Sequence, residues 1–313
     1  MATTRERILS PGNVHEAAAL VRESVFDPEL AGCDPVEVCR ELLDAGSMMG
    51  DLIDLIHPDG SFQVIGIGGG AFVANQLMAD VRERPRPGLI ERVLRARMSD
   101  ERMVLNRRQI EKANPDDGVS LVVLFHHWVD GLSEEVELEV RRHLMVGFLR
   151  DVKGYNLTEV IAEGRECDLK WTLAGGFRIR SDYASWYAEH VEPQPRRVLF
   201  GMARGEAADS VGSMVALAFD YARPKLGFTA SQRRLLSQAI QFKTDAEIAL
   251  ALGVSLSAVK KTWAAIFDKV SDVFPEMADD ARDAATSGPT IRGAQKRHRL
   301  LTYLHNHPEE IKP

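Results

Sequence analysis

The chain has 313 residues, of which 45% are hydrophobic, so it can bury two domain cores and is not a disordered chain. Its net charge of −7 hides a basic C-terminal part, because the residues from Pro224 onward include 13 Lys and Arg against 10 Asp and Glu. Three cysteines without metal-ligand spacing argue against a disulfide framework, and no apolar run of about 18 residues indicates a membrane span, so a cytoplasmic protein with no membrane partner is expected.

Helix and strand patterns alternate along the first part of the chain. Apolar residues at helical spacing predict two short helices, over residues 13–23 and 35–43. An alternating run that becomes rich in glycine predicts a strand over 61–73, and a helix follows a proline-rich loop at 89–98. The run VSLVVLFHHW, residues 119–128, is apolar on both faces, which is typical of a central strand.

The alternation continues after this strand. A helix is predicted over 134–152, with Ser133 as its N-cap and acids in its first turn. A short strand at 158–162, a helical stretch at 168–174 and a strand at 176–180 follow it. Strands that alternate with helices in this way predict an α/β fold.

The predicted fold class is therefore an α/β (α+β) N-terminal domain over residues 1–190. Its strand and helix order, with the closing sequence GGFRIRSDY, resembles the second half of the GNAT acetyltransferase fold. In that family a Gln/Arg-x-x-Gly-x-Gly/Ala loop at a helix N-terminus holds the pyrophosphate of acetyl-CoA. The corresponding loop here, 127–133, has one glycine, Gly131, and an acid, Asp130, that would repel phosphate. The resemblance thus implies the fold without its cofactor site, and no cofactor is expected.

Other patterns in this domain give little indication of a binding or catalytic site. The run from Gly66 to Ala71 matches G-x-G-x-x-A, but no clear helix and second strand follow, so a bulge or a close backbone approach is expected. His126 and His127 would point to opposite faces of a strand, which argues against a shared metal ion. An acidic patch is expected on the surface, formed by Glu159, Glu163, Glu166 and Asp168. No catalytic residue and no metal site is predicted.

A predicted linker region separates this domain from the C-terminal one. Residues 191–225 are rich in Pro, Gly, Ala and Arg and have little sustained periodicity. The second domain is expected over 226–313, and it closes with a basic helix over 294–306.

Three helix starts follow one another within residues 228–270. Thr229 with Gln232, and Thr244 with Glu247, both have the spacing of a capping box. Ser255 marks a third N-cap, two residues after a glycine. The small, turn and branched residues that a helix-turn-helix needs would be Ala249, Gly253 and Val259.

This segment resembles the LuxR-type DNA-binding domain. The matching residues are Phe228-Thr229 with Gln232, then Glu247-Ile248-Ala249, then Val254-Ser255 with Ala258-Val259-Lys260 and Thr262. The family's Glu, Thr and His are replaced by Gln232, Ala258 and Thr262, and its helix-ending glycine by Phe242. The resemblance implies an all-α helix-turn-helix domain after the α/β domain, with double-stranded DNA as its partner.

The helix 256–270 would then enter the major groove. Its core stripe leaves the opposite face free, and Lys260 and Lys261 on that face could donate to guanine. The N-termini that Thr244 and Ser255 cap could also meet phosphate. The residues expected to bind DNA are Thr244, Ser255, Ser257, Lys260, Lys261, Ala264 and Lys269.

The expected function is that of a bacterial transcription regulator without enzyme activity. The N-terminal domain would sense a small-molecule effector or form the interface of a homodimer. One alternative is an acyltransferase with a DNA-targeting domain, and a second is a sigma-factor-like protein.

Overall fold

The computed structural model describes residues 3–25, 33–99, 102–190, 196–210, 212–275 and 289–312. It divides into two compact units, which are called unit 1, up to Asp220, and unit 2, from Tyr221 onward.

Unit 1 is built on a seven-stranded sheet with the order β1-β2-β3-β4-β5-β7-β6. β4 and β5 run parallel, and the other neighbouring strands pair antiparallel. The strands are β1 (Thr3–Ile8), β2 (Met48–Ile56), β3 (Phe62–Val73), β4 (Val119–Trp128), β5 (Leu157–Arg165), β6 (Arg178–Ser181) and β7 (Arg197–Ala203). Because the parallel pair lies at the centre, both of its faces need covering helices.

Helices cover both faces of the sheet. The α-helices of unit 1 are α1 (Ala18–Ser24), α2 (Pro35–Asp44), α3 (Asn75–Glu83), α4 (Leu89–Ser99), α5 (Arg107–Ala113), α6 (Glu134–Val152), α7 (Leu169–Ala174), α8 (Ala184–Tyr187) and α9 (Arg204–Ala208). Leu52 of β2 belongs to the apolar cluster that includes residues of α1, α2 and α4, and its neighbour Ile53 belongs to a cluster with Val140 and Leu144 of α6. Since consecutive strand residues point to opposite faces, α6 covers the face opposite to α1, α2 and α4.

The mixed α/β architecture of unit 1 is confirmed, and the predicted strand 119–128 and helix 134–152 coincide with β4 and α6. The sequence analysis missed β2 and also β7, which lies inside the predicted linker 191–225. Five consecutive residues of β7, from Val198 to Met202, are buried, so it shows no polar alternation that would mark a strand. β2 contains Asp54, which is fully buried and accepts hydrogen bonds from Arg5 and Arg7 of β1.

The described residues of unit 2 form α-helices and a short 3-10 turn. The helices are α10 (Ala230–Ala239), α11 (Asp245–Leu252), α12 (Leu256–Val273) and α13 (Pro289–Asn306). Both predicted capping boxes are present, at Thr229 and Thr244, and Ser255 caps α12. Gly253 ends α11 in the left-handed conformation, with φ of 64°. The three predicted helix starts are therefore present, whereas α12 continues to Val273 and α13 begins at Pro289, before the predicted residue 294.

Within the described residues no single helix is long and apolar enough to cross a membrane. Only α11 and α12 pass that test as a pair, by length and composition, and they are bent by 107°.

Phe242 ends α10 in the position where the sequence comparison placed a family glycine. Its φ is 60° and its side chain is 94% exposed, so the ring contributes little burial. Phe242→Gly is expected to raise the free energy of unfolding by about 0.5–1 kcal/mol, since relief of the left-handed strain exceeds the extra chain entropy of glycine. Phe242→Ala is the control, because alanine keeps the Cβ that causes the strain. Equal melting temperatures for wild type and Phe242→Gly would contradict this account.

Candidate active site

The central strands β4 and β5 separate part-way along their length. Their pairing runs from Val119 with Leu157 to Val123 with Ala162, and both strands continue beyond it. On the other side, β3 pairs Gly70 with Val123 but Gly69 with Phe125, so Leu124 is an extra residue in β4. Such a bulge bends its strand and increases the local twist. The bulge lies where the pairing of β4 with β5 ends, and the opening between the two strand ends is called the strand gap.

The glycine-rich run of β3 allows close packing behind the strand gap. A Cβ at Gly68 would lie 2.9 Å from Leu144 Cδ2 on α6, and a Cβ at Gly66 would lie 3.1 Å from a methyl group of Val140. The expectation of a close backbone approach therefore fits the structure. The glycines let α6 lie directly against the sheet beside the gap.

His126 lies on β4 two residues beyond the bulge. The residue is exposed to solvent, and desolvation by the protein atoms around the ring lowers its pKa to about 4. Asp168, just after β5, opposes the shift, and Arg141 of α6 adds to it. The influence of both groups places the imidazole on the face of the sheet that α6 covers, beside the ends of the two strands. The ring is therefore neutral at pH 7 and can accept a proton there.

Arg141 forms a stack with two tryptophans next to His126. Its guanidinium carbon lies 4.9 Å from the ring centre of Trp128 and 4.6 Å from that of Trp171 on α7. Glu137, one turn earlier on α6, accepts a hydrogen bond from Arg141 and fixes its position. Trp128 also contacts His126 edge to face, at 5.6 Å between ring centres. This set of residues, called the Trp-Arg-Trp stack, forms one wall of the gap with cationic and aromatic surface.

The N-terminus of α6 lies at the end of β4, and it is acidic. Ser133 caps the helix, and Glu134, Glu135 and Glu137 occupy its first turn. Gly131 takes a φ of 82°, and Asp130 precedes it. The free amides of a helix N-terminus attract anions, but four carboxylates oppose a phosphate at this position.

The predicted acidic surface patch is not a single feature. Glu163 of β5 accepts hydrogen bonds from the backbone N–H groups of Gly88 and Leu89 at the start of α4, at 3.0 and 3.1 Å. Burial raises the pKa of the Glu163 carboxyl, whereas these amides and Arg197 lower it. Glu159 pairs with Arg82, and Asp168 pairs with Arg165. The prediction of a surface position is therefore wrong for Glu163, because β5 places its carboxylate at the start of α4.

The two adjacent histidines lie apart, as predicted. His127 contacts Glu23 of α1 at 3.4 Å, whereas His126 lies near α6 and α7 on the other face. In the part of the chain that the structure describes, no three Cys, His, Asp or Glu side chains converge on a possible metal position.

The residues predicted to bind DNA lie in unit 2, away from the strand gap in sequence. Most of them are exposed on α11 and α12 or cap these helices: Thr244, Ser255, Ser257, Lys260, Lys261 and Ala264. Lys269 is only partly exposed, and its Nζ donates a hydrogen bond to the Gly227 carbonyl at 2.5 Å. Trp263 is buried, as expected for a core residue, and its indole N–H donates to Asp245 at 3.1 Å.

The sequence analysis predicted none of the residues around the strand gap as a site. His126 was considered there only with His127, in the argument against a shared metal ion, and Arg141 was not connected with Trp128 or Trp171. These residues belong to three different elements, so no local spacing brings them together. The indication of a site that the sequence offered was a histidine at the end of a strand that is apolar on both faces.

Comparison with known proteins places the chain among distant structural neighbours. No family model and no curated protein matches it. Among solved structures it is similar to FeeM, an N-acyl amino acid synthase from uncultured soil microbes, with 11% identity, a TM-score of 0.37, and coverage of 69% of this chain and 99% of that one. It is also similar to the C-terminal condensation domain of Ebony in complex with beta-alanyl-dopamine, with 13% identity, a TM-score of 0.30, and coverage of 65% and 100%.

These neighbours correct one part of the sequence analysis. A synthase and a condensation domain are enzymes, so the prediction of a chain without enzyme activity is contradicted. The description of the chain as a LuxR-type, DNA-binding transcription regulator is contradicted as well. The capping residues in the C-terminal part define where helices begin, and helix boundaries do not specify a binding partner. With TM-scores below 0.5, neither neighbour identifies a substrate or a catalytic residue in this chain.

Proposed function

We propose that unit 1 is an acyltransferase that moves an acyl group from a thioester to an amine in the strand gap. The observation that carries the proposal is the separation of the parallel strands β4 and β5 after Val123 and Ala162, with His126 beside the opening. Beyond this point the described residues of β4 have no strand partner in β5, so main-chain groups on that edge are available to a ligand. The separation of β4 and β5 is also consistent with the topological resemblance to the GNAT fold.

The proposed reaction consists of three chemical events. The amine nitrogen attacks the thioester carbon, the carbonyl oxygen gains negative charge, and the thiol leaves as the amide bond forms. Backbone N–H groups on the free edge of β4 can donate to that oxygen, and this kind of stabilisation is usually the largest catalytic contribution. His126, which is neutral at pH 7, accepts the proton that the amine loses and passes it to the thiolate that leaves.

The charge around the gap selects among thioester donors. The acids at the start of α6, Glu134, Glu135 and Glu137, disfavour a donor that places nucleotide phosphates at this helix. The Trp-Arg-Trp stack offers instead a flat apolar wall with one cation. An acyl chain or an aromatic group fits such a wall better than a phosphate chain does.

The experiment is a turnover assay on the full chain. Acyl thioesters of increasing chain length, carried on pantetheine or coenzyme A, are paired with primary amines and amino acids. Release of thiol and the mass of the amide product are measured together. We expect an amide product with at least one donor, and faster turnover with the pantetheine thioester than with the coenzyme A thioester. Thiol release at the buffer rate with every pair would contradict the proposal.

A further inference from the structure

A second cleft lies at the opposite end of the parallel strands, where β4 and β5 begin. It has a volume of about 280 Å³, which is at the lower limit for small-molecule sites. Residues from α3, β4, β5 and the end of β7 line it: Asn75, Met78, Arg82, Ser120, Thr158, Glu159 and Ala203. This cleft is called the α3 cleft.

Two hydroxyl groups that line the α3 cleft donate their protons to acceptors within the protein. Thr158 donates its hydroxyl proton to the Val119 carbonyl at 3.2 Å. In that arrangement the 2.7 Å hydrogen bond between Ser120 and Thr158 uses the proton of Ser120. Both oxygens keep lone pairs, and Ser120 is 98% buried, with a relative exposure of 2%. The hydroxyl pair can thus accept hydrogen bonds from a ligand but cannot donate one.

Two opposite charges stand beside this hydroxyl pair. Arg82 Nη1 lies 2.6 Å from Glu159 Oε2, and the two side chains are 57% and 12% exposed. The Glu159 carboxylate has a second oxygen, and the guanidinium of Arg82 has further N–H donors. The wall of the cleft therefore combines an acceptor group, formed by Ser120, Thr158 and Glu159, with a single exposed cationic donor.

We propose that the α3 cleft binds a small zwitterion of the amino-acid class. Its ammonium group donates to Glu159 and to the lone pairs of Ser120 and Thr158, and its carboxylate accepts from Arg82. An ammonium group suits this position because it has three N–H donors, whereas a hydroxyl has one and an ionised carboxylate has none. The inference does not depend on the proposed acyl transfer, because it uses neither His126 nor the Trp-Arg-Trp stack.

Titration calorimetry on the full chain tests this proposal. The probes are glycine, serine and glutamine as zwitterions, ethylamine as an ammonium group alone, and acetate as a carboxylate alone. We expect at least one zwitterion to bind more tightly than both ethylamine and acetate. No measurable binding of any zwitterion, or equal binding of acetate and the zwitterions, would overturn the proposal.

Variants assign the two ends of the ligand. Glu159→Gln and Thr158→Val are each expected to weaken zwitterion binding at least tenfold, and Arg82→Gln to remove the preference for a zwitterion over ethylamine. Arg84→Gln is the matched control, because Arg84 lies just after α3 with a side chain 79% exposed and outside the cleft lining. Melting curves confirm that each variant is folded. Undiminished binding in folded Glu159→Gln would overturn the assignment, and unchanged binding in His126→Asn would separate this site from the strand gap.

Discussion

Gly50→Ala is expected to lower the free energy of unfolding of unit 1 by about 3 kcal/mol, the upper part of the usual range for overpacking. A Cβ at Gly50 would lie 2.2 Å from the Gly68 carbonyl oxygen and 2.7 Å from the Cα of Gly69. Both neighbours are backbone atoms of the paired strand β3, so no side chain can move aside to make room. The melting temperature should fall by about 6–12 °C for a domain of this size.

Gly205→Ala provides the matched control for this substitution. Gly205 lies in α9, and a Cβ there would have no atom within 4 Å. The same chemical change should leave stability unchanged or raise it by about 0.4–1 kcal/mol, because alanine reduces the entropy of the unfolded chain. If Gly50→Ala melts with the wild type, β2 and β3 do not approach as closely as the structure has them.

The local signals in the sequence predicted much of the secondary structure. The helix starts at Ser133, Thr229, Thr244 and Ser255 were all found, because a cap depends only on residues within one turn. The apolar strand 119–128 was found because burial on both faces requires a continuous apolar run. These features are encoded over four to ten residues of sequence, so they need no knowledge of the fold.

Features that depend on distant partners were not predicted. β2 contains Asp51 and Asp54, and two carboxylates are not expected in a buried strand. They are compensated by distant partners, because Arg150 of α6 pairs with Asp51 and two arginines of β1 pair with Asp54. The bulge at Leu124 is defined by the register of β3 against β4, which the sequence of one strand cannot reveal. The candidate active site depends on this bulge, so the strand gap could not be predicted from local patterns.

His126→Asn is expected to reduce kcat/KM for acyl transfer by about 10²–10⁴-fold, the usual contribution of a general base. Asparagine keeps a polar side chain of similar reach but cannot accept a proton. This prediction rests on the proposed function and on the position of the imidazole on the α6 face of β4, beside the point where β4 leaves β5. The measurement is the initial rate of amide formation with the best donor and acceptor from the turnover assay.

His127→Asn is the matched control, because it makes the same change one residue away on the other face of β4. His127 contacts Glu23 of α1 and lies away from α6 and α7, so its loss should change kcat/KM less than about threefold. Equal rates for wild type and His126→Asn would remove His126 from the mechanism. Equal losses in both variants would indicate damage to β4 and contradict a specific role for His126.

The pH dependence of the rate provides an independent check on His126. Because its pKa is lowered to about 4, the imidazole stays neutral from pH 8 down to about pH 5 and can accept a proton throughout that range. As the pH falls through 4, the ring becomes protonated, and kcat/KM calculated on the concentration of unprotonated amine should fall with it. An ordinary histidine would cause this loss near pH 6.5, so a rate that halves there would contradict the desolvated position of His126 in the strand gap. In His126→Asn the residual rate should show no step near pH 4.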